Sequence, residues 1–318
     1  MLDLLRFTLR RLLPSLPLLI AVPFAVFVLM EFAPGDIAAT LAGDNATPDL
    51  VAGIREKLGL NDPLIVRFWN WFSHAIRGDF GGSLRSSQPV KSMVGEALGP
   101  SLSMVFISLA VALVVGCAFG LLAGMYPKGA ADRVVSVVAA LFVAAPPFWL
   151  GLILVLVFSL SLGWLPATGY QPLSAGLWTW LRHLILPSIA LSLVPAAEVA
   201  RQLRGSLVQV FDRDYVLAAR AKGLRRRQVV FKHALKNAAI PVLTVYGYRA
   251  AQILGGTVVV ETVFNIRGIG DLALQAVLTG DIPVVLAVAM LTTLAVVMVN
   301  LLTDLAYGYF NPKIRDSA

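Results

Sequence analysis

Of the 318 residues, 58% are hydrophobic and only 14% charged, and the mean hydropathy is +0.79. This composition excludes a water-soluble domain and marks an integral membrane protein. The 26 Lys and Arg against 18 Asp and Glu leave a net charge of +8, which must meet water, headgroups or a partner because lipid tails cannot take it. One cysteine, Cys117, lies in an apolar segment, and His74, His183 and His233 are scattered at no metal-ligand spacing. Neither a disulfide framework nor a Cys-based metal site is available, and no cofactor is expected.

Six segments are long enough to cross about 30 Å of hydrocarbon: Leu12–Phe32, Leu102–Tyr126, Val134–Leu162, Leu184–Leu207, Ala238–Val260 and Pro283–Tyr309. The first follows a basic start, exceeds the apolar core of a signal peptide and has no small-residue cleavage site after it, so a retained membrane helix is expected. The connection Ala33–Pro100 is too long for a bare loop. Pro34-Gly35-Asp36 turns the chain out of the membrane, and Pro48–Leu58 and Pro63–Ile76 read as short helices. The second of these bears Phe68, Trp69, Trp71 and Phe72, which suit a helix packed at the headgroup level, contact with an external partner being the other open reading. Gly78–Leu84 is a glycine-rich turn without the lysine of a phosphate loop.

In the second segment Gly116, Gly120 and Gly124, four residues apart, offer a face for close helix contact. Pro146 and Pro147 break the third segment at mid-membrane, and Pro187 and Pro195 interrupt the fourth. Each proline removes a backbone donor and crowds the preceding turn. Packing kinks and hinges lining a pathway are both open readings.

Arg201–Pro241 is the long polar insertion between later segments, with ten Lys or Arg against Asp212 and Asp214. Its surplus equals the net charge of the whole chain. Asp212–Gly223 reads as a short helix in which Asp212 caps the first free N–H groups, Asp214 sits in the positive first turn, and Arg220 and Lys222 suit the negative last turn. Gly223 supplies the left-handed residue that ends it. A second helical run, Arg226–Ala239, leads into the fifth segment.

The connection Glu261–Ile282 is broken at Gly268-Ile269-Gly270 before a short helix, Asp271–Thr279. Charges within the membrane are flags for function. Glu31 and Glu261 lie at outer ends, Glu198 and Asp304 near inner ends, and Glu198 is spaced to pair with Arg201. Arg249, midway along the fifth segment beside Gln252, cannot easily snorkel to either surface. With the N-terminus inside, cytoplasmic pieces hold 17 of the 26 Lys and Arg and only five acids, which orients both termini to the cytoplasm.

The stretch Asp214-Tyr215 through Ala218-Ala219-Arg220-Ala221-Lys222-Gly223, then Lys232-His233-Ala234-Leu235-Lys236-Asn237-Ala238, resembles the cytoplasmic loop of ABC-importer permeases in the form found in the dipeptide/oligopeptide/nickel branch. Ala218 stands where the broader importer pattern has Glu, His233 where it has Ile, and Lys236 where it has Pro. Val259–Phe264 with Gly268 and Gly270 is similar to the same family, with Arg267 in place of its usual Pro. Leu12-Leu13-Pro14, Ala33-Pro34-Gly35-Asp36, Asn300–Leu305 and Asn311–Arg315 extend the resemblance from end to end.

The resemblance implies an all-α integral membrane protein of six transmembrane helices, like an ABC type I importer permease. Residues 1–32 would form the N-terminal segment and first helix, 33–100 an extracytoplasmic loop, and 101–318 a five-helix core with its coupling loop at 201–238. It implies a bacterial-type inner-membrane location and a transporter built with a second homologous permease, two ATP-binding subunits and an extracytoplasmic solute-binding protein. Asp214, Tyr215, Ala218, Ala219, Arg220, Lys222 and Gly223 would meet the ATPase; Pro146, Pro147, Arg249, Gln252 and Glu261 are candidate pathway residues. Arg249 either meets a substrate carboxylate in the path or pairs with a group on the other permease.

The dipeptide Gly-Lys occurs nowhere in the chain, so ATP hydrolysis is expected on a separate subunit and this subunit is expected not to be an enzyme. Peptides are the first expectation for the solute, with nickel or another small solute as alternatives. An ion-coupled secondary transporter would need an intramembrane relay and inverted halves, and neither is visible. The basic loop could also draw the chain to anionic lipid at about 1 kcal/mol per residue. Nucleic-acid binding is not expected of a sparsely aromatic charge cluster tethered to a bilayer.

Overall fold

A computed structural model describes residues 13–32, 37–42, 47–57, 59–86 and 88–310. The predicted turn at Pro34-Gly35-Asp36 and both terminal segments fall outside that set. Among the described residues the architecture is helical, with a single isolated bridge between Gly82 and Pro89. The helices are α1 (Leu16–Glu31), α2 (Ile37–Ala42), α3 (Pro48–Lys57), α4 (Leu64–Ala75), α5 (Val90–Met125), α6 (Ala130–Ala144), α7 (Pro147–Leu154), α8 (Leu177–Phe211), α9 (Asp214–Ala221), α10 (Leu235–Val263), α11 (Ile269–Thr279) and α12 (Ile282–Phe310).

Among the described residues four helices are long and apolar enough to span a membrane: the stretch Leu13–Glu31 containing α1, then α5, α8 and α12. A fifth candidate is α6 with α7 and its π-helical extension Val155–Ser161, bent by 106°. The third predicted segment is therefore a broken pair and not one straight rod. Two consecutive prolines explain the break. Each biases the residue before it to extended backbone, and Ala145 (ψ 133°) and Pro146 (ψ 137°) are both extended. The fifth predicted segment is α10, whose 29 residues reach about 43 Å at 1.5 Å each. Its polar residues keep it out of the apolar set.

Proline does not act uniformly. α8 runs unbroken through Pro187 and Pro195, both buried, contrary to the expected interruptions. α5 begins twelve residues before the predicted start and runs through Pro100. There the preceding residue is Gly99, which lacks the Cβ that a following proline would crowd.

The most extensive contact in the molecule is between α5 and α8, and the three glycines explain it. A Cβ on Gly116 would lie 2.8 Å from the Ala196 carbonyl oxygen, and one on Gly120 2.8 Å from that of Ala200. One on Gly124 would lie 2.8 Å from Leu207 Cδ1. The stripe lets two backbones touch, which in lipid is the main source of helix association.

The amphipathic α4 packs its Phe68 against Phe24 and Phe27 of α1 and beside Ile282 and Leu286 of α12. Arg67 pairs with Glu31 at 2.9 Å. Trp69 is left half-exposed on the outer side of this helix.

Candidate coupling surface and membrane pathway

The basic stretch folds into an elbow. α8 ends at Phe211, Arg213 is extended, and α9 occupies the tip. Gly223 reverses the chain at φ +75°, where a side chain would strain the backbone even though the space around it is open. Its N–H donates to the Arg220 carbonyl at 2.9 Å, and that of Leu224 to the Ala219 carbonyl at 3.3 Å, closing the last turn. Helical structure resumes at Arg226–Gln228, passes through a π-helical turn at Val229–Ala234 and continues into α10. The predicted second run is thus the root of a membrane helix.

Asp212 is not the cap of α9. It terminates α8 with near-helical backbone (φ −92°, ψ 2°), and α9 starts at Asp214 without a side-chain cap. The acid lies one residue before the N-cap position, Arg213, and closes the preceding helix because the intervening link is only two residues long.

α9 has two faces. Val216 and Ala219 are buried in one apolar cluster with Val199, Leu203, Leu207 and Phe211 of α8 and with Val229, Val230, Ala234, Ala238 and Val242 of the following helix. Ala219 faces the protein here, and its small side chain seats α9 on that cluster. Asp214, Tyr215, Ala218, Arg220, Lys222 and Gly223 are exposed. Arg220 lies over the Phe211 ring at 5.1 Å, and Tyr215 Oη accepts from Asn237 Nδ2 at 2.7 Å. Both ties join α9 to the roots of the flanking membrane helices. The Asn237 contact was not expected, although Asn237 stands within the recognised motif. Arg204 is withdrawn from the basic set: its Nε and Nη2 donate to Asp132 at 2.9 and 2.8 Å, fastening α8 to the start of α6.

Across the membrane, α10 departs from its neighbours. Outward-facing residues on α5 include Leu102, Phe106, Val114 and Phe119, as suits contact with lipid. Beyond Lys236 and Asn237 at its root, the exposed positions of α10 run Thr244, Tyr248, Gln252, Gly255, Gly256, Val259 and Thr262, a stripe at helical spacing that is polar or glycine except at Val259. Arg249 is the fifteenth of the 29 residues in this helix. Its guanidinium Nε and Nη2 donate to the two Glu198 carboxylate oxygens, and Nη1 donates to Gln252 Oε1. Gln252 Nε2 donates to Tyr248 Oη at 2.7 Å. The expected Glu198–Arg201 pair is replaced by this one: Arg201 is exposed, and the carboxylate instead reaches across to the part-buried guanidinium of Arg249 on α10. Two charges 51 residues apart gave no local signal of their pairing. The hint was that each was costly alone at that depth.

Glu261 is fully buried. Ser101 Oγ donates to its Oε1 at 2.7 Å and the Asp271 N–H to its Oε2 at 2.8 Å, while Ser101 Oγ accepts from the Ile269 N–H at 2.7 Å. The carboxylate thus sits at the N-terminus of α11, where unpaired N–H groups and the helix dipole favour negative charge. Gly268 and Gly270 leave room for it: a Cβ on Gly268 would fall 2.4 Å from its Cδ. In this conformation Glu261 lines no open path. Asp281, another buried acid, accepts from Ser83 Oγ and from the Leu84 N–H at 3.2 Å, tying the glycine-rich turn to the start of α12. Pro146 and Pro147 are exposed at the α6–α7 break. A cavity of about 600 Å³ opens beside these loops, lined in part by Glu96, Tyr170, Arg267 and Asp271. Among the described residues no His/Cys/Asp/Glu group could hold a metal ion.

A helical membrane protein with a polar helix inside an apolar set and a basic elbow beneath it fits the class of transporter permeases. The family described as binding-protein-dependent transport system inner membrane component matches residues 116–316, and its N-terminal companion matches residues 4–105. The chain belongs to this family, the permease component of ABC importers, which works in the membrane with ATP-binding subunits and a substrate-binding protein. It is 41% identical over 309 residues to a probable peptide ABC transporter permease of Sinorhizobium fredii, covering 97% of this chain and 99% of that one. It is 39% identical to a glutathione transport system permease of Salmonella choleraesuis, covering 98% and 99%. Among solved structures, inward-facing conformations of the MetNI methionine ABC transporter share the fold, with TM-score 0.55 and 18% identity over 69% of this chain and 97% of that one.

Proposed function

We propose that the chain is one of two homologous permease subunits of an ATP-driven peptide importer, with both termini in the cytoplasm. Two ATP-binding subunits engage the exposed face of α9, and a solute-binding protein delivers peptide from the outer side. The observation that carries this reading is the elbow. Its tip shares one apolar cluster with the inner ends of both α8 and α10, so a displacement of α9 must move those helices together because packed cores deform little. The names of the relatives support peptide as the solute class, glutathione being itself a small peptide.

Closure of the ATPases would push or draw α9, tilt α8 and α10, and change which side of the membrane the polar stripe of α10 faces. Arg249 and Gln252 lie along that path, and the α6–α7 break at Pro146-Pro147 is the hinge beside it. Purifying the complete transporter with its native solute-binding protein, and identifying by mass spectrometry what that protein holds, tests the reading. A peptide is expected. A metal chelate or another non-peptide solute would sink the substrate class, and uptake that persists in vesicles without ATPase subunits would sink the mechanism.

A further inference from the structure

Building on the reading of the chain as a peptide permease, we propose that Glu198, Arg249, Gln252 and Tyr248 form an intramembrane contact for the two ionised ends of a small zwitterionic peptide. This selection step would be separate from the one made by the solute-binding protein.

The ion pair is not needed to hold its helices together. On the inner side of Arg249, Val199 and Leu203 of α8 share an apolar cluster with Ala238 and Val242 of α10. On the outer side Ala190 and Leu191 meet Ile253 and Val260. One more apolar contact would complete that seam, and replacing buried ion pairs by well-packed apolar residues is often neutral or stabilising. A charge pair placed between two apolar clusters therefore points away from stability as its purpose.

Nor is the pair closed off. The Arg249 and Glu198 side chains keep 23% and 21% of their accessible surface, and Tyr248, whose ring lies 5.7 Å from the guanidinium carbon, is 60% exposed. Arg249 lies about 21 Å along the helix from either end of α10. Charged groups at such depth face a water-filled path or protein and not lipid.

The donor count leaves capacity for a ligand. A guanidinium has five N–H groups; Glu198 takes one each from Nε and Nη2, and Gln252 takes one from Nη1. One N–H on Nη1 and one on Nη2 remain, the fork that a carboxylate accepts in bidentate fashion. Each Glu198 oxygen accepts one bond from Arg249 and keeps a further lone pair for an ammonium group. A peptide carboxylate at Arg249 with its ammonium at Glu198 adds no net charge at mid-membrane, and Gln252 and Tyr248 supply neutral contacts at the rim. A peptide blocked at either end would leave one of the two charges unmatched.

The test uses the complete transporter with its solute-binding protein in proteoliposomes. It measures uptake of a dipeptide, its N-acetylated form and its C-amidated form, each at saturation of the binding protein. Wild type is expected to carry the free dipeptide about tenfold faster than either blocked form, as befits hydrogen bonds to charged groups. In Glu198→Gln/Arg249→Gln that ratio is expected to fall toward one. A ratio equal to that of wild type, with uptake of all three peptides lowered alike, is the signature of a purely structural pair and overturns the proposal. If the double variant does not assemble on size exclusion, Arg249→Lys carries the test. It keeps the charge opposite Glu198 but removes the bidentate fork, and is expected to lower the ratio of free to C-amidated peptide about fivefold; an unchanged ratio overturns the proposal there too. Absence of all peptide uptake by the wild-type complex would instead defeat the peptide reading itself, and is recognised before any variant is made.

Discussion

The two ends of this permease treat charge in opposite ways. At the end opposite the elbow, Glu261 and Asp281 are buried, and their carboxylates are spent on serine hydroxyls and backbone N–H groups. They pin the glycine-rich turn, α11 and the starts of α5 and α12 into one cap. On the elbow, Arg213, Lys222, Arg225, Arg227, Lys232 and Lys236 stay exposed, and the fold there rests on a shared apolar cluster and one left-handed glycine. A buried, hydrogen-bonded charge is costly to disturb, while an exposed one is available to a partner. The cap is therefore held by buried, paired charge, whereas the elbow leaves its charge open to a partner.

The largest expected effects from breaking this contrast lie in the cap. Glu261→Ala leaves the Ser101 hydroxyl and the Asp271 N–H unsatisfied, opens a void between Gly268 and Gly270, and should cost about 3 kcal/mol of stability. Thermal unfolding of the detergent-solubilised complex measures it; a shift within error would mean the cap is held by something else. Asp281→Ala frees the Ser83 hydroxyl and the Leu84 N–H and should cost about 2 kcal/mol by the same measurement. Neither loss should depend on whether the ATPase subunits are bound.

A smaller loss of stability with a larger loss of function is expected at the elbow. Gly223→Val places a β-branched residue at φ +75°, at a cost of about 1–2 kcal/mol. Because no atom lies within 4 Å of the added Cβ, the penalty is conformational, and α9 is expected to reorient and not to unfold. Solute-stimulated ATPase activity should fall well below that of wild type while the subunit still inserts and resists proteolysis. Full stimulation would remove the turn from the coupling mechanism.

Much of this contrast was legible in the sequence, because it rests on composition and periodicity. The charge excess of Arg201–Pro241, the glycine stripe on α5 and the left-handed residue at Gly223 each follow from local chemistry, and the structure places all three where that chemistry requires. What could not be read was long-range pairing. Glu198 faced two basic residues, one three positions away and one on another helix. The choice of Arg249 depends on the rotation of α8 against α10, which no local pattern encodes. Proline behaved likewise. Pro146-Pro147 broke its helix because the two act in succession, whereas Pro187 and Pro195 are absorbed within a packed helix. Glu261 looked like a pathway residue because an acid at a membrane boundary is conspicuous; the serine that receives it lies 160 residues earlier.

The smallest expected effect is the most specific to coupling. Tyr215→Phe keeps the ring and removes only the oxygen that accepts from Asn237 Nδ2 at 2.7 Å. The bond is exposed, so its loss should cost roughly 0.5 kcal/mol of stability, close to the limit of a thermal measurement. It is nonetheless a polar tie between α9 and the root of α10. If motion passes from the tip to the membrane helix through that tie as well as through the apolar cluster, peptide uptake per ATP hydrolysed should drop while ATP turnover stays near that of wild type. Asn237→Ala should give the same uncoupling, and the double variant should be no worse than either single one, since both remove one interaction. Additive losses would show that the two side chains act through different neighbours, leaving the cluster around Val216 and Ala219 as the route by which the elbow moves α10.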